Sequence, residues 1–114
     1  MICQHMKKFH HIGIPTTKQR PGETSLDEAR LHVTGCDASE HRIEWLRFED
    51  GSPLPEVLKT TAHVACEVED LEAAPAGREI LLEPFTPMEG VRVAFIMDDE
   101  APIEFMQIDS QKYS

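Results

Sequence analysis

Hydrophobic and polar positions alternate along several short stretches of the chain, which predicts a fold built mainly from strands. In residues 9–15, Ile12 and Ile14 fall on one face of the predicted strand, and His11 and Gly13 fall on the other. Similar patterns predict the remaining strands, at residues 31–35, 42–48, 62–68, 78–83, 91–96 and 102–108.

The segments between these strands carry turn and connector signals. Residues 16–30 are polar and predict a loop with a helical turn near its end, and residues 49–59 predict a proline-rich connector. Asp70 is a suitable N-cap for a short helix that Pro75 would end. Two further turns are predicted, in the sequences PFTPMEG (84–90) and MDDEAP (97–102).

Charge and composition narrow the classes of partner. With 11 Lys and Arg against 21 Asp and Glu, the net charge of −10 argues against a nucleic-acid surface, which needs clustered cations. No run approaches the ~20 apolar residues of a membrane span. The three cysteines, Cys3, Cys36 and Cys66, have no CxxC spacing, which favours a reducing cytoplasm over a disulfide framework.

The two halves of the chain repeat one arrangement of histidine and glutamate. Each half begins with a histidine at the head of an apolar strand, His11 or His63. Each half ends with Ile-Glu-aromatic, in RIEWLRF around Glu44 and in PIEFMQI around Glu104. A repeat of this length predicts a duplicated supersecondary unit.

Period-2 alternation assigns these side chains to faces. Gly13 and Ala65, two residues after the histidines, are small and leave room on the histidine face. The opposite face carries apolar residues that we expect to pack into the core: Ile12, Ile14, Val64, Cys66 and Val68.

Taken singly, a strand histidine is usually a structural residue and a glutamate usually faces solvent. Four such residues at matched positions of a repeat are harder to explain in that way. Two imidazoles and two carboxylates on one face would be costly to bring together without a cation. The sequence therefore predicts a divalent metal bound by His11, Glu44, His63 and Glu104.

Three motifs resemble the vicinal oxygen chelate superfamily, the group of glyoxalase I and methylmalonyl-CoA epimerase. They are HHIGIPT, HVACEVEDLEAA and GVRVAFIMDDEAPIEFMQ, and together they extend over most of the chain. The resemblance implies an α+β fold in which paired βαβββ modules form a curled mixed-sheet cup. It implies a single domain over residues 1–114, with module one at about 7–50 and module two at about 60–109.

The resemblance also assigns chemistry to the four residues. His11, Glu44, His63 and Glu104 fall on its metal-ligand positions, with Zn, Ni, Co or Mn as the candidate ions. Glu44 and Glu104 are the candidate bases, and Glu67 is a weaker one. The implied function is a metal-dependent lyase or isomerase that transfers a proton alpha to the carbonyl of a small-molecule substrate. The alternative is a non-catalytic metal- or small-molecule-binding module of the same fold.

The first module departs from the family pattern. Residues between His11 and Leu31 are too few and too rich in proline and glycine for the usual full helix, so that helix is expected to be shortened or absent. Its absence would uncover an apolar face, and large apolar patches usually mark interfaces. A homodimer through this face is therefore predicted. The face consists of Ile12, Ile14, Ile43 and Trp45.

Overall fold

The computed structural model describes residues 6–109 and residue 111 of the chain. Cys3, which contributed to the cysteine argument, lies outside the described residues. Cys36 and Cys66 are both buried free cysteines. No helix in the described part of the chain is long and apolar enough to span a membrane.

Strands dominate the described residues, so the fold is α+β and mostly β. Only one short α-helix, α1 (Glu56–Thr60), and two 3-10 turns accompany them in this part of the chain. The strands are β1 (Met6–Pro15), β2 (Thr24–Leu26), β3 (Leu31–Val33), β4 (Ile43–Phe48), β5 (His63–Val68), β6 (Glu79–Met88), β7 (Val91–Asp98) and β8 (Ala101–Ile108).

The chain divides into two compact units. We call His11–His63 the central unit, and Met1–His10 with Val64–Ser114 the terminal unit. Within the central unit the strand order is β2-β3-β4-β1, in which β2, β3 and β4 are antiparallel neighbours and β1 pairs with β4 in parallel.

The terminal unit repeats this order with its own strands. Its order is β6-β7-β8-β5, in which β6, β7 and β8 are antiparallel neighbours and β5 pairs with β8 in parallel. The registers also correspond. Gly13 lies opposite Glu44 in one parallel pair, and Ala65 lies opposite Glu104 in the other.

Each unit has its own hydrophobic core, and the two cores lie differently relative to the glutamate of their unit. In the central unit, the cluster of Leu31, Val33 and Leu46 lies on the face of Glu44, because Leu46 is two residues further along β4. In the terminal unit, the main cluster lies on the face opposite Glu104. It consists of Val68, Leu71, Ala74, Ala94, Ile96 and Phe105.

The expected core residues are therefore only partly confirmed. Cys66 and Val68 are buried as predicted, whereas Ile12 and Ile14 are half-buried. The prediction for Val64 is wrong, because this side chain is 37% exposed.

Helix predictions also need correction. Asp70 does accept hydrogen bonds from the backbone N–H groups of Glu72 and Ala73 through Oδ1, as an N-cap would. The predicted helix does not follow, since residues 71–77 form successive turns. Pro75 has no N–H to continue a helical ladder. Conversely, α1 forms in the stretch that was predicted to be only a connector.

The end of β6 corrects a predicted turn. Residues 84–88, in the PFTPMEG sequence, continue this strand instead of leaving it. Pairing between β6 and β7 shifts register three times along its length. Proline is tolerated at bulges and on edge strands, and β6 is the last strand of its set.

Candidate metal centre

His11 lies on β1, and the alternation of side chains along this strand determines which face it is on. Its side chain and Gly13 are both buried, and His11 is only 1% exposed, while Ile12 and Ile14 between and beyond them are half-buried. The predicted alternation along this strand is therefore present, but the more buried face is the one with His11 and not the one with Ile12 and Ile14 that was expected to pack into the core.

Glu44 reaches His11 through the parallel pairing of β4 with β1. Because Gly13 is opposite Glu44 in this register, the glutamate is on the same face as the histidine two residues before Gly13. The Oε1 atom of Glu44 lies 3.3 Å from Nε2 of His11. The glutamate side chain is 24% exposed, so the carboxylate links a buried imidazole to the solvent.

His63 lies beside His11 within the central unit. Its ring centroid lies 5.9 Å from that of His11, and the two rings are edge to face at 74°. Gly13 is what allows this approach. A Cβ atom at Gly13 would lie 2.3 Å from Cε1 and 2.6 Å from Nε2 of His63, closer than real side chains come.

Glu104 belongs to the terminal unit. It lies on β8, opposite Ala65 on one side and Phe95 on the other, and is 7% exposed. Burial of a glutamate to this degree is unusual unless it has a partner. The described residues contain His, Cys and Glu side chains that could hold a metal ion, and Glu104 is one of them.

The weaker candidate, Glu67, is placed differently. It is half-buried on β5, and Oε2 lies 3.6 Å from the Nζ atom of Lys8. Glu67 therefore forms an ion pair with an exposed lysine.

The sequence did not predict that Cys36 lies close to this group. A potential ligand atom of Cys36 lies within 4.8 Å of one on His11. Burial raises the pKa of the Cys36 thiol, the Glu44 carboxylate raises it further, and Arg42 opposes both. Arg42 donates through Nη2 to Sγ at 3.2 Å. Cys36 stands on a 3-10 turn, where no periodic pattern could reveal its neighbours.

His11 and His63 are among the described side chains that could hold a metal ion, whereas Glu44 contacts His11 but is in neither of the potential metal-binding groups of the described residues. Imidazole nitrogen and carboxylate oxygen are the donors that Zn, Ni, Co and Mn accept in proteins. Both histidines are almost completely buried, so little solvent competes for their nitrogens. The missing Cβ of Gly13 keeps the ring of His63 beside the strand that carries His11.

Comparisons with known proteins relate the chain to one fold. No family model and no curated protein matches the sequence. Among solved structures, the chain is similar to the hypothetical protein BH1468 from Bacillus halodurans C-125, with a TM-score of 0.67 and 21% identity. The match extends over 88% of this chain and 93% of that protein. At this identity the likeness concerns the fold alone.

Proposed function

We propose that the protein is a metal-dependent lyase or isomerase of the glyoxalase type. The observation that carries the proposal is that two side chains approach His11 within the central unit: Oε1 of Glu44 lies 3.3 Å from its Nε2, and the ring centroid of His63 lies 5.9 Å from its own. These residues are far apart in the sequence and occupy matched positions of its repeat.

The strand arrangement supports the proposed family. Each unit has three antiparallel strands with its first strand added in parallel, and the register places a small residue opposite each glutamate. We propose that these are the paired βαβββ modules of a vicinal oxygen chelate cup in which the first helix is lost. The reducing cytoplasm is the proposed location, from the cysteine pattern.

His11, Glu44 and His63 would hold the ion, with Glu104 in the fourth ligand position that the resemblance assigns. A bound divalent ion supplies Lewis-acid polarisation of a substrate carbonyl. The chain itself must then remove or deliver a proton at the adjacent carbon, which is the task of a general base or acid.

Glu44 is the better candidate for this proton transfer. Its side chain is 24% exposed, so a proton received from substrate can pass on to water. Glu104 is 7% exposed, which favours a fixed ligand role. The proposed substrates are small 2-oxo compounds or acyl thioesters with an acidic alpha hydrogen.

Exchange of an alpha hydrogen for solvent deuterium tests this proposal before the substrate is known. Protein loaded with Zn, Ni, Co or Mn is incubated with 2-oxo and acyl-thioester compounds in D₂O, and exchange is followed by NMR. Glu44→Gln keeps an oxygen but loses the base, so exchange should fall by ~10²–10⁴-fold. Glu40→Gln, at an exposed position, is the matched control and should exchange like the parent protein.

Metal content separates the enzyme from the alternative. If the protein binds one ion that His11→Ala abolishes, yet exchanges no tested compound, it is a non-catalytic binding module. Exchange that survives Glu44→Gln and the corresponding Glu104→Gln change would contradict the proposed chemistry. Failure to bind any of the four metals would contradict the site itself.

A further inference from the structure

A second group of polar side chains lies outside the candidate metal centre. The Oγ atom of Ser25 is 2.8 Å from Nδ1 of His32, and Nε2 of the same imidazole is 2.7 Å from Oε2 of Glu49. A hydroxyl, an imidazole and a carboxylate are therefore joined in one hydrogen-bonded chain.

The carboxylate decides the direction of these hydrogen bonds. An ionised carboxylate can only accept, so the Nε2–H group of His32 donates to Glu49. In a neutral imidazole the other ring nitrogen is then an acceptor, and the Ser25 hydroxyl must donate to Nδ1. His32 is thereby oriented to remove the hydroxyl proton, and Glu49 is placed to stabilise the positive charge that results.

The backbone explains why these three residues meet. Ser25 and His32 are direct partners in the antiparallel pairing of β2 with β3, so their side chains share a face. His32 is opposite Arg47 of β4, so it lies on the same face as Arg47. Arg47 and Glu44 are three residues apart on β4, so their side chains lie on opposite faces of the strand. The chain of three is therefore on the opposite face of this strand set from Glu44.

The serine is open to a reactant. Ser25 is exposed and lies on β2, the first strand of its set, while the side chain of His32 is 19% exposed. An activated nucleophile typically has this arrangement, in which a mostly buried base lies beside an accessible hydroxyl.

We propose that Ser25 is a nucleophile that accepts acyl groups from small activated esters, with His32 as its base and Glu49 as the residue that positions it. A bond forms between Oγ and the acyl carbon while the hydroxyl proton passes to Nδ1. The bond from that carbon to the leaving oxygen then breaks, and the same proton goes to the alcohol. Water subsequently releases the acyl group as a carboxylic acid and restores the serine.

An aryl ester provides the probe. The protein is mixed with p-nitrophenyl acetate, release of p-nitrophenolate is followed by absorbance, and the acetylated residue is located by peptide mass spectrometry. We expect acetyl on the peptide that carries Ser25, and none there after Ser25→Ala. His32→Gln should lower the acylation rate by about 10²-fold, the lower end for a lost general base, because this site is open to water.

Two matched variants control for nonspecific chemistry. Ser39→Ala removes another serine hydroxyl, and His41→Gln removes an exposed histidine that lies beside Glu40. Both should acylate like the parent protein. Acetyl found only on lysines, or acylation unchanged by both Ser25→Ala and His32→Gln, would overturn the proposal. None of these readouts requires a metal, so its failure is independent of the glyoxalase-type function.

Discussion

Gly13 determines how closely the two histidines of the candidate metal centre approach. The ring of His63 occupies the space that a side chain at residue 13 would need, with Cε1 only 2.3 Å from the position of a Cβ. The alternation of β1 places His11 on the same buried face. The absence of a side chain at Gly13 therefore allows the His63 ring to lie close to the strand that carries His11.

Gly13→Ala should displace the His63 ring and weaken metal binding. The added Cβ meets three ring atoms within 3 Å, so the ring must rotate or the strand must shift. Loss of good geometry around one ligand should lower metal affinity by roughly 10–100-fold, the range seen when the support of a ligand is removed. Isothermal titration with Zn would measure the change.

The control is the same substitution in a protein that lacks the ring. In a His63→Ala background, Gly13→Ala should have little further effect on metal affinity, because the clash has gone. If the two changes weaken binding additively, the contact between Gly13 and His63 does not position the ligand.

The sequence predicts part of this site and not the rest. Alternation is sufficient to place His11 and Gly13 on the same face, since this depends only on strand periodicity. The 3.3 Å approach of Glu44 follows from a parallel register that the repeat suggests but does not specify. The nearness of Cys36 depends on a non-periodic turn, and its position could not be inferred. Metal binding by the four residues stays a prediction.

At the scale of elements, the loop before β2 is attached to β4 by a forked ion pair. Arg47 donates through Nε and Nη2 to the two carboxylate oxygens of Glu23, at 2.9 and 2.7 Å. The same loop places Arg20 over the ring of Trp45, 3.9 Å from its centroid. No α-helix lies in residues 16–30, so these contacts connect the loop to the strand where a helix would otherwise pack.

The Glu23–Arg47 pair should make stability depend on pH in acid. The hydrogen bonds from Arg47 lower the pKa of Glu23 from 4.5 to about 2. A carboxyl whose pKa is lower in the folded state stabilises the protein above its unfolded pKa, and this contribution is lost as pH falls from about 4.5 to about 2. Urea unfolding across this range should be less pH-dependent in Glu23→Gln. Glu28→Gln, at an exposed position nearby, should keep the parent slope.

The sequence predicts the elements that have a clear local pattern and misses those that do not. Seven predicted strands are present, because each has an alternating or apolar run. β2 has three residues and is defined by its pairing with β3, which no local pattern encodes. α1 follows Pro55, and its one buried residue, Leu58, supplies too little periodicity to distinguish a helix from a connector.

At the scale of the whole molecule, the predicted homodimer depends on one face of the central unit. Ile12 is opposite Ile43 and Ile14 is opposite Trp45, so the four side chains share a face, and all are half-buried. We expect light scattering at micromolar concentration to give twice the mass of one chain. Ile14→Glu should convert the dimer to a monomer.

A comparable apolar residue elsewhere provides the control for that change. Ile80 on β6 is 39% exposed, and Ile80→Glu should leave the dimer intact. Circular dichroism of both variants checks that the fold persists. A parent protein of single-chain mass would contradict the prediction directly.

The parallel pairing of β1 with β4 also determines when the candidate metal centre can form during folding. β7 and β8 are joined by only Asp99 and Glu100, so this hairpin forms by local contacts. The pairing of β1 with β4 is a long-range contact, because the intervening chain must first form a closed loop. Glu44 therefore meets His11 late in the assembly of the central unit. A metal ion that binds there would find its ligands only after the folding barrier. In stopped-flow experiments, Zn should slow unfolding and leave the refolding rate unchanged, and faster refolding with Zn would show that the ligands meet early.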